Sequence, residues 1–303
     1  MAHHRRQHLV SRVVIARFSD QGQVMRFEFD SGKLEPRSPA TCMYMPLFIS
    51  AAPAAAEQLW GSVENRLPAA LAAVDDASIL SRPDCIATIK DCIAMHLARS
   101  KGMAWTREES LQRAAAKLKV EMMTNHRQWL LDRFRRRYGV VGVGFQAMER
   151  AADDFIEQAA PLVNTAETFW ASVRELFELF KAFFGKQQLE IASPESGEFL
   201  LGDFPAVALP KSQQPLGGPR WGVPVDEAAT VVMPLGPKHL VGLGPAPRFE
   251  SVFPADVDKL NQVQAMNAFH EVCFRPGASL DAFVTASRAQ LPTGARRTPL
   301  STP

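Results

Sequence analysis

Apolar and polar positions alternate in one short stretch near the start of the chain. Val24, Arg26 and Glu28 interleave with Met25, Phe27 and Phe29, which predicts a half-buried strand. RVVIARFSD before it and QVMRFEFDS flank the turn DQGQ, so the spacing predicts an opening β-hairpin. From Thr41 to Ser50 the pattern is apolar and irregular, fitting a short helix or an extended piece. The period then becomes helical. Leu59, Val63 and Leu67 share a face in PAAAEQLWGSVENRLPAALAAV, and Ile86, Ile89, Ile93 and Leu97 share one in a helix from about Pro83 through Arg99. Thr106 and Glu109 have the spacing of a capping box and predict a helix start. More helix is expected from Lys117 through Arg137, then a turn or short extended piece at YGVVGVGF. A long helix from about Gln146 breaks before Pro161 and resumes from Thr165 through Phe184. Its Phe169, Val173, Leu176, Phe180 and Phe183 form an apolar surface that builds either a core or a dimer.

Beyond Lys186 the period falls back to two. LEIAS, EFLLGD, AVAL, ATVVMPL and HLVGLG read as strands, the last two joined at GPK, and KSQQPLGGPRWGVPVDE reads as a loop. A helix from about Ala255 to Phe269 and a final strand EVCFR follow. Proline use agrees: one proline lies between Asp84 and Ser193, and fifteen of the 22 lie from Pro194 onward. The expected class is therefore α+β, a predominantly helical middle with a mainly antiparallel sheet built from N-terminal and C-terminal strands. One domain is expected over residues 1–291, with 292–303 a disordered tail.

The 303 residues are 47% hydrophobic and 22% charged, which suits a globular protein and argues against fibrous or wholly disordered classes. No apolar run is long enough to span a membrane, and no secretory leader follows the basic start, so a cytoplasmic protein is expected. Cys42, Cys85, Cys92 and Cys273 are widely spaced and read as free packing thiols. With 34 Lys plus Arg against 32 Asp plus Glu, the chain has no global attraction for polyanions. The local exception is HRQWLLDRFRRRYG. Arg127, Arg133, Arg135, Arg136 and Arg137 lie there among aromatic residues and suit phosphate contact with RNA or DNA, although a basic helix end also complements the helix dipole.

Walker, HExxH and GxSxG motifs are missing. His3 and His4 are terminal; His8, before the apolar VVI segment, can serve as a base or as a strand-entry residue. Glu57 and Glu64 lie seven apart on one helix side and suit a divalent cation, or plain solvent exposure. Asp203 ends an apolar strand in FLLGDFP, where it can be catalytic or accept hydrogen bonds from its own turn.

These residues, in this order, resemble the uncharacterised bacterial DUF4238 family. HLVSRVVIARFSDQGQVMRF is similar to the family's opening, with His8 on its histidine, Phe18 on its phenylalanine and Ile15 on its leucine. Ser11 stands where proline is usual, and Val14 where an aromatic is. The helix with Glu57 and Glu64 resembles the family's early helix with paired glutamates. EFLLGDFPAVAL resembles its serine-aspartate-asparagine-proline turn: Asp203 and Pro205 match, and Gly202 and Phe204 replace serine and asparagine. VVMPLGPKHLVGLG resembles the strand region that follows, and Asn261 and Asn267 fall in the matching last helix. The likeness spans about residues 8 to 275 and implies a bacterial protein with no assigned reaction. The residues give two expectations. One is a metal-assisted nuclease with His8 and Asp203 catalytic, Glu57, Glu64 and Asp203 on a divalent metal, and the arginine segment on phosphate. The other is a noncatalytic interaction protein that self-associates or binds a partner through the helical middle.

Overall fold

The computed structural model describes residues 6–140, 144–211, 225 and 227–290. His3, His4, the central part of YGVVGVGF, most of the KSQQPLGGPRWGVPVDE loop and the 292–303 tail lie outside the described residues. The chain runs β1 (Arg6–His8), α1 (Arg12–Ala16), β2 (Val24–Glu28), β3 (Lys33–Arg37), β4 (Tyr44–Pro46), α2 (Pro53–Glu64), α3 (Leu67–Asp75) and α4 (Pro83–Ala98). The helical middle continues with α5 (Lys101–Asn125), α6 (Arg127–Tyr138), α7 (Phe145–Val163) and α8 (Ala166–Gly185). Then come β5 (Gln188–Pro194), β6 (Leu201–Gly202), β7 (Val207–Pro210), β8 (Ala228–Gly236), β9 (His239–Gly244), β10 (Arg248–Val252), α9 (Pro254–Asn267), β11 (Glu271–Phe274) and α10 (Asp281–Gln290). This is an α+β arrangement, with a helix-rich middle flanked by sheets of N-terminal and C-terminal strands.

The strands form a five-stranded sheet in the order β10-β5-β9-β8-β7, a four-stranded sheet in the order β3-β2-β11-β6, and the pair β1-β4. Among the described strands only β10 and β5 run parallel. The second sheet joins chain ends: β2 pairs with β11, Arg26 opposite Cys273 and Glu28 opposite Glu271.

The opening hairpin forms between other partners than expected. RVVIA is one helical turn, because Val14 and Ile15 are fully buried and the Ser11 carbonyl accepts both of their amides. The adjacent Val14 and Ile15 are both buried between exposed Arg12 and Ala16, a spacing that one side of a helical turn meets and the alternation of a half-buried strand does not. The partner of β2 is instead KLEPR, an edge strand, where Pro36 is tolerated. The expected helix over PAAAEQLWGSVENRLPAALAAV is two helices, since Pro68 opens α3. Thr106 caps nothing. Helix α5 starts earlier, at Ser100, whose hydroxyl accepts the Met103 amide at 3.0 Å, and the Thr106 hydroxyl bonds back to the Gly102 carbonyl. At the resumed helix Thr165 does cap, accepting the Thr168 amide.

The main core packs α2, α3, α4 and α8 against one face of the five-stranded sheet. Trp60 is its aromatic hub, edge-on to Trp170 and Phe177. The apolar face of α8 therefore serves the chain's own core: Val173, Phe177 and Phe184 are buried, while Phe183 stays 37% exposed. Helices α5, α6 and α7 add a small cluster around Met122, Leu130, Ala151 and Ala152. Among the described residues no helix is long and apolar enough to cross a membrane.

Segment EFLLGD yields a strand of two residues because α9 takes up its backbone with amide side chains. Asn261 accepts the Leu200 amide and donates to the Glu198 carbonyl, both at 2.9 Å. Gln264 accepts the Gly202 amide at 3.2 Å and donates to the Pro205 carbonyl at 2.8 Å. Backbone groups satisfied in this way need no neighbouring strand. Gly202 fits because a Cβ there would lie 3.0 Å from the Gln264 carbonyl oxygen.

Candidate functional site

A polar cavity of about 640 Å³ opens where the N-terminal segments meet β11 and the start of α5. Asp203, Lys101, Arg26, Arg37, Glu271 and His270 supply its charged and titratable wall, along with Glu28, while Leu9, Met43, Tyr44 and Pro46 are among its other lining residues. Its volume is that of a small-molecule site.

Most of this wall is internally paired. Asp203 is 3% exposed, and its two carboxylate oxygens accept the backbone amides of Phe269 at 2.6 Å and His270 at 3.0 Å. Its own amide donates to the Glu271 carbonyl at 3.1 Å. Asp203 thus clasps the chain between α9 and β11, and it is also part of the cavity wall. Glu271 accepts the Met43 amide at 2.5 Å through one oxygen and pairs with Arg26 through the other. Burial pushes the Glu271 carboxyl up from its ordinary range, and Arg26 pulls it back. Arg26 also reaches Glu28 at 2.6 Å, and Arg37 lies on Glu35 at 2.6 Å.

Lys101 is different. It is the first residue of α5, half-buried, and among the described residues its ammonium has neither a hydrogen bond nor an ion pair. Burial lowers its pKa, while Asp203, Glu271 and Asp30 act from a distance in the opposite direction. A cation in the first turn also faces the positive end of the helix dipole. Placement in sequence was a signal for this residue: a lysine directly after an N-cap serine is at the unfavourable helix end.

The expected site residues are distributed over several places. His8 is half-buried, with Nε2 3.3 Å from the Ala40 carbonyl oxygen and its ring tilted against Tyr44. Burial lowers its pKa; Arg12 and Arg99 act in the same sense, and Glu64 and the Ala40 contact oppose them. Glu64 accepts a hydrogen bond at 2.9 Å from Arg99, a guanidinium 4% exposed that also lies over the Trp60 ring. Glu57 is exposed on α2. Asp203 alone of these four lines the cavity. No group of three or more histidine, cysteine or acidic side chains placed to hold a metal occurs among the described residues.

The arginine segment is α6, packed on α7. Arg133 bonds Gln158 at 2.6 Å and lies over Trp129 and Phe155, and Arg137 pairs with the buried Asp154 at 3.0 Å. Arg127 donates to the Met123 carbonyl, while Arg135 and Arg136 are exposed in the last turn, where their charge suits the dipole. None of the five lines the cavity.

The fold and cavity define an α+β protein with a lysine-bearing polar pocket between its terminal strands and helical middle. The chain belongs to the DUF4238 family, described as protein of unknown function, whose model matches residues 6–278. No curated protein and no solved structure matches it.

Proposed function

We propose that this protein binds a small anionic molecule in the cavity, with Lys101 meeting the anion. The observation that carries this reading is the imbalance of the wall: the Asp203 and Glu271 carboxylates are already bonded, whereas the Lys101 ammonium has no hydrogen-bond or ion-pair partner among the described residues. A buried charge is costly until it is paired, so a carboxylate or phosphate entering the cavity relieves that cost. Arg37, which also lines the cavity, is held by Glu35 through Nε and Nη2, and its remaining Nη1 is a second donor for an anion. The four buried free cysteines support a reducing cytoplasm as its setting.

A phosphodiester is one anion of this kind. The metal-assisted nuclease reading keeps Asp203 in the cavity, and it draws on the exposed Arg135 and Arg136 for RNA or DNA. The test is calorimetric titration of the full chain with inorganic phosphate and with pyruvate. Saturable binding by the wild type, lost in Lys101→Met, is expected. No saturable heat with either probe overturns the reading. Labelled single-stranded RNA and DNA, with and without divalent metal, decide the nuclease reading: cleavage that is lost in Asp203→Asn supports it, and intact substrates remove it.

A further inference from the structure

An amine with no hydrogen bond or ion pair among the described residues, lining a cavity that already holds carboxyl groups, is arranged for more than attraction. We infer that Lys101 captures the carbonyl of a small 2-oxo acid as an imine, an inference that rests on the anion reading above. Three features of the site support it.

The amine is free to react. A lysine tied to a carboxylate keeps its proton and its lone pair is blocked; the Lys101 Nζ makes no ion pair or hydrogen bond among the described residues. Burial and the position at the helix start both favour its neutral form, which is the nucleophile. Next, the wall keeps positive charge when Lys101 gives up its own. Arg37 lines the same cavity and stays protonated at any ordinary pH; Glu35 takes its Nε and Nη2, and its Nη1, without a hydrogen bond among the described residues, is left for the acid group of the ligand. A 2-oxo acid has its carbonyl directly beside its carboxylate, and an acid group drawn to this wall brings a carbonyl with it. Finally, the protons the step moves need no carboxylic acid: Glu271 lines the cavity but accepts from Met43 and Arg26, so the amine itself and water supply them.

The chemistry balances without an oxidant or reductant. The neutral Nζ bonds to the carbonyl carbon as the π pair moves to oxygen, and that oxygen takes the proton given up by nitrogen. A second proton, from water, turns the hydroxyl into leaving water while the nitrogen lone pair closes the C=N bond. One water is released for each imine formed.

The experiment traps the imine on the intact chain. Wild-type protein is incubated with pyruvate or glyoxylate and sodium cyanoborohydride, which reduces C=N to a stable secondary amine, and adducts are mapped by peptide mass spectrometry. The expected result is an adduct concentrated on the peptide carrying Lys101 and lost in Lys101→Arg. That variant keeps the charge without the nucleophile, so unchanged circular dichroism shows that loss of the adduct is not loss of the fold, and the pyruvate titration of the wild type shows separately that the site is occupied. Pyruvate binding by the wild type with no adduct at Lys101 overturns the imine and leaves the anion site standing. Adducts spread evenly over exposed lysines such as Lys33, Lys238 and Lys259 overturn it as well. Absence of both binding and adduct overturns the anion reading and the imine together.

Discussion

Arg99 closes α4 and Lys101 opens α5, on either side of the capping Ser100, and their surroundings handle the two charges in opposite ways. Arg99 is nearly inaccessible; Glu64 neutralises it at 2.9 Å and the Trp60 ring covers it. Lys101 faces a cavity whose nearest carboxylates are engaged elsewhere. The contrast separates a charge used to hold helices together from one left available to a visitor. It also shows why residue type alone does not locate a site: both are basic residues at a helix junction, and only their partners differ.

The largest expected effect comes from breaking the satisfied side of this pair. Glu64→Ala leaves Arg99 buried without its carboxylate, and removing one member of a buried ion pair costs about 3–5 kcal/mol. Equilibrium urea unfolding checks this; a loss below about 1 kcal/mol means the Arg99 side is held by the Trp60 contact and the backbone instead. The same substitution should leave pyruvate binding by the folded protein intact.

Acid sharpens the comparison at the next scale. His96 lies on α4 one turn before Arg99, fully buried, with Nε2 accepting the Ser11 amide at 3.0 Å and Nδ1 donating to the Cys92 carbonyl at 2.7 Å. Burial pulls its pKa down to about 3 from an ordinary 6.5. The folded state therefore holds this imidazole neutral, and its contribution is whole above pH 6.5 and is lost as pH falls from there toward 3. The slope is about 1.4 kcal/mol per pH unit for one extra proton taken up on unfolding. Urea midpoints between pH 7 and pH 4 should fall more steeply for the wild type than for His96→Gln; equal slopes break the assignment.

The smallest expected effect is at Lys101. Lys101→Met removes an unpartnered, half-buried cation, so stability should stay level or rise by about 1 kcal/mol. A marked fall in melting temperature would make Lys101 a structural residue like Arg99 and erase the distinction.

Where a single local rule governed, the sequence could be read directly. Helix α4 shows its face in Ile89 and Ile93, both buried, and β2 shows its alternation. Elements set by distant partners were not legible. β3 carries Pro36, three charged residues and Leu34 as its one apolar core contact, too little to show an alternation, and β10, RFESV, with two charged residues at the other sheet's edge, was hidden in a similar way. Thr106 fitted a local cap pattern, but Ser100 caps the helix six residues earlier and the Thr106 hydroxyl is turned to the Gly102 carbonyl inside it. At the site, Asp203 stood out through its constrained turn, but the amides it accepts are those of Phe269 and His270 in the α9–β11 connection, not amides of its own turn. Its companions Arg26, Glu271 and Lys101 come from three separate stretches of the chain, and no spacing rule connects them.

The pairing of β2 with β11 sets an order of events during synthesis. Arg26 leaves the ribosome long before its neighbours Glu271 and Cys273, so the nascent chain carries β2 and β3 as an unfinished hairpin through the making of every helix in the middle. Such widely separated contacts fold slowly and leave strand edges open in the interval. The cavity wall closes only when β11 arrives, and a ribosome stalled before Glu271 holds a chain with the helices of its middle made and its pocket still absent.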